Sequence, residues 1–133
     1  MAEPLPDRLK EIVDGKAFAH VATVGPDGHP HNSVMWITRN GDHLIVNTAA
    51  GRVKWRNMKR DPRVSISITP LEELQLNYSI KGRVVEMRTE DGGAVIDALA
   101  KKYLGVDEFP WLGPDDVRVT IVIETLHVAS NIR

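Results

Sequence analysis

The chain has 133 residues, a net charge of −1, a hydrophobic fraction of 42% and no cysteine. That length suits one domain with a core of its own. The missing thiols exclude disulfides, thiolate catalysis and cysteine-based zinc or iron–sulfur sites, and the near-neutral balance speaks against a protein that coats nucleic acid. No apolar run approaches the roughly 20 residues of a membrane helix, and the first residues lack the basic start and apolar run of a signal peptide; a cytoplasmic protein without a membrane partner is expected.

In chain order, LPDRLKEIVDG sets Leu5, Leu9, Ile12 and Val13 at helical spacing, with Gly15 as the stop. AFAHVATV reads as a strand and is followed by the turn GPDG. HNSVMWIT is a second strand, ending at Asn40-Gly41, a strong hairpin signal, and HLIVNT is a third. These three strands are expected to form a meander. Residues 51–63, GRVKWRNMKRDPR, read as a short helix that stops at Asp61-Pro62, because the residue before proline is pushed out of the helical region. RVSISITP alternates as a strand. LQLNYSIKGRVVEM is a longer one, with Gly82 as a bend or bulge. Thr89, Glu90 and Asp91 open a helix carrying Val95, Ile96, Leu99, Tyr103 and Leu104, closed by Gly105. VDEFPWLGPDD is a loop and VRVTIVIETLHVA the last strand. Six strands joined largely by hairpins, with three helices, predict a mainly β single domain built as an antiparallel closed or nearly closed barrel.

The chemistry is concentrated in two places. Arg52, Lys54, Arg56, Lys59, Arg60 and Arg63 fall within twelve residues that hold one acid, Asp61. Helical spacing puts Arg52, Arg56, Lys59 and Arg60 on one face, while Trp55 and Met58 are placed to pack the helix onto the barrel. Asn47, Thr48, Ala49, Ala50 and Gly51 precede it. Such small and polar residues before a helix start let an anion approach its free N–H groups and the positive end of its dipole, and Arg52 and Lys54 add charge there. The second place is the strand holding Asn32, Ser33, Val34, Met35 and Trp36, which offers hydrogen-bonding groups and a flat aromatic to a planar ring. A solvated basic helix and an ordinary core tryptophan are the plain alternatives.

Other chemistry is thin. There is no Gly-x-Ser-x-Gly elbow, P-loop, Gly-x-Gly-x-x-Gly or His-Glu-x-x-His motif. His29 and His31 stand two apart but lack partners at metal-ligand spacing, so no metal site is expected. An enzyme built from these residues would take its reactivity from a cofactor.

ATVGPDGHPHNSVMW, GDHLIVNTAAGRVKWRNMKRDPRVSISI, YSIKGRVVEM and KKYLGVDEFPW together resemble the flavin/deazaflavin oxidoreductase superfamily, built on the pyridoxamine-phosphate-oxidase-like split β-barrel. Within it the chain is most similar to the small actinobacterial F420-dependent group. The most specific stretch is Arg52, Lys54, Asn57, Arg60, Asp61, Pro62 and Arg63. The resemblance implies a six-stranded split barrel and a homodimer with cofactor sites at the subunit interface. It implies the deazaflavin F420, with FMN as the alternative, and hydride transfer to a small unsaturated substrate. A non-catalytic binder of F420, FMN or a tetrapyrrole is a further reading of the same fold, and a nucleic-acid binder is disfavoured. The cofactor phosphate is expected against Thr48, Arg52, Val53 and Lys54, with Asn47 and Asn57 also among the cofactor-binding residues. The ring is expected along Asn32, Ser33, Val34, Met35 and Trp36, with the loop around Trp111 supplied by the second subunit. Arg56, Lys59, Arg60 and Arg63 are the candidate surface for an oligoglutamate tail. His31, Tyr78 and His127 are candidate proton donors, none fixed by a motif, so the catalytic residue stays unassigned.

Overall fold

In the computed structural model, which describes residues 2–131, three helices and seven strands form one curved sheet. The helices are α1 (Asp7–Asp14), α2 (Val53–Arg60) and α3 (Gly92–Leu104). The strands are β1 (Ala17–Val24), β2 (Pro30–Met35), β3 (Thr38–Asn40), β4 (His43–Ala49), β5 (Arg63–Pro70), β6 (Tyr78–Arg88) and β7 (Arg118–Ser130). Every pairing is antiparallel and the order is β2-β1-β5-β6-β7-β4-β3. The two edge strands are consecutive in the chain. The sheet therefore curls until its edges meet through the covalent link Trp36-Ile37, which gives the split barrel its closure. No helix among the described residues is long and apolar enough to cross a membrane.

The count of seven rather than six has one cause. The expected second strand breaks at Trp36-Ile37, so β2 pairs with β1 while β3 pairs with β4 around Asn40-Gly41. The three-strand meander is thus two separate hairpins. Met35 and Ile37 are both buried with Trp36 between them, so the inward–outward alternation of a strand runs on across the break and only the pairing partner changes. Helix α3 holds the break from outside. The Tyr103 hydroxyl accepts from the Ile37 amide at 3.3 Å and donates to the Ala17 carbonyl at 3.1 Å. Lys102 Nζ donates to the carbonyls of Ile37 and Val13, the latter in the last turn of α1. Burial lowers the Lys102 pKa to about 8.

Elsewhere the local patterns hold. Leu5, Leu9, Ile12 and Val13 are all buried in the barrel core, as are Ile66, Ile68, Ile80, Ile121 and Ile123 from the strands. At Gly82 the β6–β7 register shifts, and a Cβ there would stand 2.7 Å from Ile123 Cγ2. Strand β6 starts at Tyr78 and not at Leu74, because Asn77 is drawn out of the ladder. Its amide donates to Asn131 Oδ1 at 2.7 Å and its side chain to the Ser67 hydroxyl. Gly105 closes α3 in the left-handed region at φ 75°. Asp91, expected to open α3 as a cap, makes no capping bond and pairs with Arg88 at 2.9 Å.

Candidate functional site

Where β4 ends and α2 begins, the chain turns through Ala50 and Gly51, with Gly51 at φ 93°. Helix α2 starts at Val53 with no side-chain cap. Its first amides therefore have no intrahelical acceptor and no competing side chain. Two adjoining concavities meet at this point. One, of about 210 Å³, is lined by Val34, Met35 and Trp36 of the β2 end, Asn47 and Thr48 of β4, Arg52, Lys54, and Ile96, Leu99, Phe109, Trp111 and Arg118. The other, a crevice of about 530 Å³, is lined by His31, Ser33, Gly51, Arg52, Val53, Lys54 and Arg56. Arg52 and Lys54 border both.

The compartments differ in character. The first has an aromatic wall: Trp36 stacks on Tyr103 at 5.3 Å, meets Phe109 edge-on at 5.9 Å and lies 6.3 Å from Trp111. Trp111 is 65% exposed. The crevice is lined mostly by polar and basic residues, and two side-chain atoms from β2, His31 Nδ1 and Ser33 Oγ, are buried without a hydrogen-bond partner. Buried polar atoms in native proteins usually have partners. A ligand with several acceptor oxygens would provide them here.

The cations at the junction are held apart from acids. Among the described residues, Arg8, Arg39, Arg63, Arg83 and Arg88 pair with carboxylates. Neither Arg52 nor Lys54 does. Burial lowers the Lys54 pKa, and the positive charges of Arg52 and then Arg118 lower it further. A bound anion would relieve both the mutual repulsion of Arg52, Lys54 and Arg118 and part of their lost hydration.

Of the eleven cofactor-site residues expected from the sequence, Ser33, Val34, Met35, Trp36, Asn47, Thr48, Arg52, Val53 and Lys54 line one or both compartments. Asn32 and Asn57 do not. Asn32 is exposed on the other side of β2. Asn57 is buried beneath the helix, where its Nδ2 donates to Thr23 Oγ1 at 3.0 Å and its Oδ1 accepts from Arg60 Nη2 at 2.8 Å. It ties α2 to β1 and makes no contact with the pocket. Replacing Asn57 with alanine is expected to lower stability by about 1–3 kcal/mol in urea denaturation. Ligand affinity of the folded protein should change by less than about twofold.

The continuous basic face also dissolves. Arg60 donates to the Val24 carbonyl at 2.8 Å, Arg56 to the Gly51 carbonyl, and Lys59 lies 4.5 Å over the Trp55 ring. Arg63 binds Asp61 at 2.7 Å and helps bring that carboxyl to about 2. Trp55 and Met58 do pack α2 against the core. Trp111, assigned by resemblance to a second subunit, lines the cavity of its own chain. Of the proton-donor candidates, His31 lines the crevice, Tyr78 is buried in the core, and His127 sits 3.3 Å from Glu3.

Arg118, Phe109 and the α3 residues Ile96 and Leu99 were not anticipated in the site. Arg118 begins β7 and is the one charged residue in the run VRVTIVI, a signal that a polar group is kept at an apolar strand for a reason. Its Nε donates to Asn47 Oδ1 at 3.0 Å, and Asn47 Nδ2 donates to the Gly92 carbonyl at 2.9 Å.

The family profile described as pyridoxamine 5'-phosphate oxidase matches residues 5–128. Among solved structures, an F420 reductase is similar at 27% identity, covering 94% of this chain and 98% of its own, with a TM-score of 0.81. A conserved hypothetical protein from Mycobacterium tuberculosis is similar at 23% identity, with 97% and 85% covered and a TM-score of 0.72. An FMN-binding protein from Syntrophomonas wolfei shares the fold at 8% identity, with 92% and 82% covered and a TM-score of 0.70.

Proposed function

The chain belongs to the pyridoxamine 5'-phosphate oxidase family, and from that premise we propose that it is an oxidoreductase working with a flavin-type cofactor, specifically the deazaflavin F420. The observation that carries the reading is the pair Arg52 and Lys54 at the uncapped start of α2. They border both compartments, and neither has a carboxylate partner among the described residues. The full-length likeness to an F420 reductase supports F420 over FMN.

The residues present fit such a group. The start of α2, with Arg52, Val53 and Lys54, would hold the ribityl phosphate, and Ser33 Oγ and His31 Nδ1 supply polar atoms lacking partners in the same crevice. Val34, Met35 and Trp36 would carry the ring, with Asn47 and Thr48 at its polar edge. When bound, the deazaflavin supplies a hydride at ring carbon C5. The chain's own part is to fix the phosphate, press a planar substrate against the aromatic wall and keep water from between the two. His31, whose Nδ1 has no partner in the crevice, is the candidate there to hydrogen-bond a bound ligand.

A second copy of the chain belongs to the same reading. Phe18, Val34 and Leu71 are 45%, 57% and 40% exposed and line one apolar recess beside Trp36 and Tyr103. A homodimer would cover them.

Parallel titration of the purified protein with F420 and with FMN tests the cofactor. Tighter binding of F420, together with oxidation of reduced F420 by an unsaturated acceptor, is the expected result. Tighter binding of FMN would move the protein to the flavin branch, and binding of neither would overturn the reading.

A further inference from the structure

Of the three cations at the junction, Arg118 is the one that does not reach the crevice. It lines the aromatic compartment and not the crevice where Gly51, Val53 and Arg56 lie. Its surroundings orient it without neutralising it. Nε is used by Asn47 Oδ1 at 3.0 Å, and the guanidinium carbon lies 5.0 Å over the Phe109 ring. Asn47 is itself 7% exposed and fixed by the Gly92 carbonyl, so the guanidinium is aimed by a buried amide that is held at its other end. The neighbouring acid, Asp116, turns one carboxylate oxygen to the Gly113 amide, which donates to it at 2.9 Å. No carboxylate pairs with Arg118 among the described residues, and its two terminal nitrogens have no partner there.

An arginine held by Nε and stacked on a ring presents its remaining end as a preset fork for a carboxylate. Burial lowers the Arg118 pKa and Arg52 lowers it further, with Asp116 opposing. That cost in the free protein is recovered when an anion binds. The lining of the aromatic compartment contains no acid, Asp116 being the one carboxylate that acts on Arg118, and the wall of Trp36, Phe109 and Trp111 suits a flat conjugated body.

We propose that Arg118 is the substrate anchor of this site, and that the substrate is a planar conjugated acid whose carboxylate pairs end-on with the Arg118 fork while its ring system lies against Trp36, Phe109 and Trp111. The inference rests on the functional reading above in taking the crevice as the cofactor's phosphate side. It assigns Arg118 to substrate binding and specificity, not to the cofactor.

Calorimetric titration with 2-naphthoate and with its neutral methyl ester tests the assignment, on protein with and without saturating F420. Wild type is expected to bind the acid about tenfold or more tightly than the ester. Arg118→Met should bring that ratio to about one by weakening the acid alone, and Arg118→Lys should keep part of it, since it keeps the charge but loses the fork. F420 affinity should stay within about twofold in both variants. Equal binding of acid and ester by wild type would overturn the proposal. So would a tenfold or larger loss of F420 affinity in Arg118→Met, which would make Arg118 a cofactor ligand. If Arg118→Met does not fold, as judged by circular dichroism, the Arg118→Lys ratio decides. A wild-type protein that binds no F420 would overturn the functional reading, while the acid-to-ester ratio on the same sample would still decide the role of Arg118.

Discussion

Replacing Lys54 with alanine is expected to weaken F420 binding by about tenfold to a hundredfold without loss of fold, the size of a lost charge-assisted hydrogen bond. Lys54 borders both compartments at the start of α2, half-buried and without an acidic partner among the described residues. Its position costs the free protein. Burial, then Arg52 and Arg118, lower its pKa from the ordinary 10.5. A base whose folded pKa is depressed binds fewer protons folded than unfolded between the two values, so stability rises with pH across that window and is reduced below it. Removing the amine removes that penalty. The variant should therefore be at least as stable as wild type at pH 7 while binding the cofactor less well, the pattern of a group kept for function. Salt should weaken the wild type more than the variant, because screening acts on the ion pair that the variant lacks. Lys59→Ala is the control: Lys59 packs on Trp55 outside both concavities, and its loss should leave affinity unchanged. If Lys54→Ala binds F420 as wild type does, the anion site at the start of α2 is not where the cofactor sits.

The second large effect concerns two adjacent glycines. Gly92→Ala is expected to cost about 3 kcal/mol or more and to lower Tm by roughly 10 °C. A Cβ on Gly92 would stand 1.9 Å from the Arg118 carbonyl oxygen and 2.4 Å from its carbon. Both atoms are backbone of β7, so no side chain can swing away and α3 must lift from the sheet. The damage should spread to the site, because the Gly92 carbonyl holds Asn47, and Asn47 holds Arg118. Gly93→Ala should do the opposite. Nothing lies within 4 Å of a Cβ there, and alanine is favoured over glycine inside a helix by about 0.5–1 kcal/mol. Urea denaturation of the two variants side by side reads both signs. A Gly92→Ala protein as stable as wild type would show that α3 docks on β7 less closely than the 1.9 Å approach requires.

The kinds of elements, and much of the lining of the candidate site, are legible in local patterns of the sequence. Period-two alternation in β1 and β5 and the spacing of Leu9, Ile12 and Val13 are local patterns, and burial follows them directly. Arg52, Val53 and Lys54 were legible for the same reason, since a helix start and the residues before it lie within a few positions of one another. Tertiary structure decided the rest. The break at Trp36-Ile37 depends on Tyr103 and Lys102, more than sixty positions away. Whether a basic residue is free or spent also depends on distant partners. Arg60 meets a carbonyl 36 positions back, Asn57 a hydroxyl 34 back, and Arg118 an amide 71 away. A charge in the sequence carries its sign but not its partner. Only the folding of the sheet, which brings β4, α3 and β7 to one wall, separates the cations that hold the protein together from those left for a ligand.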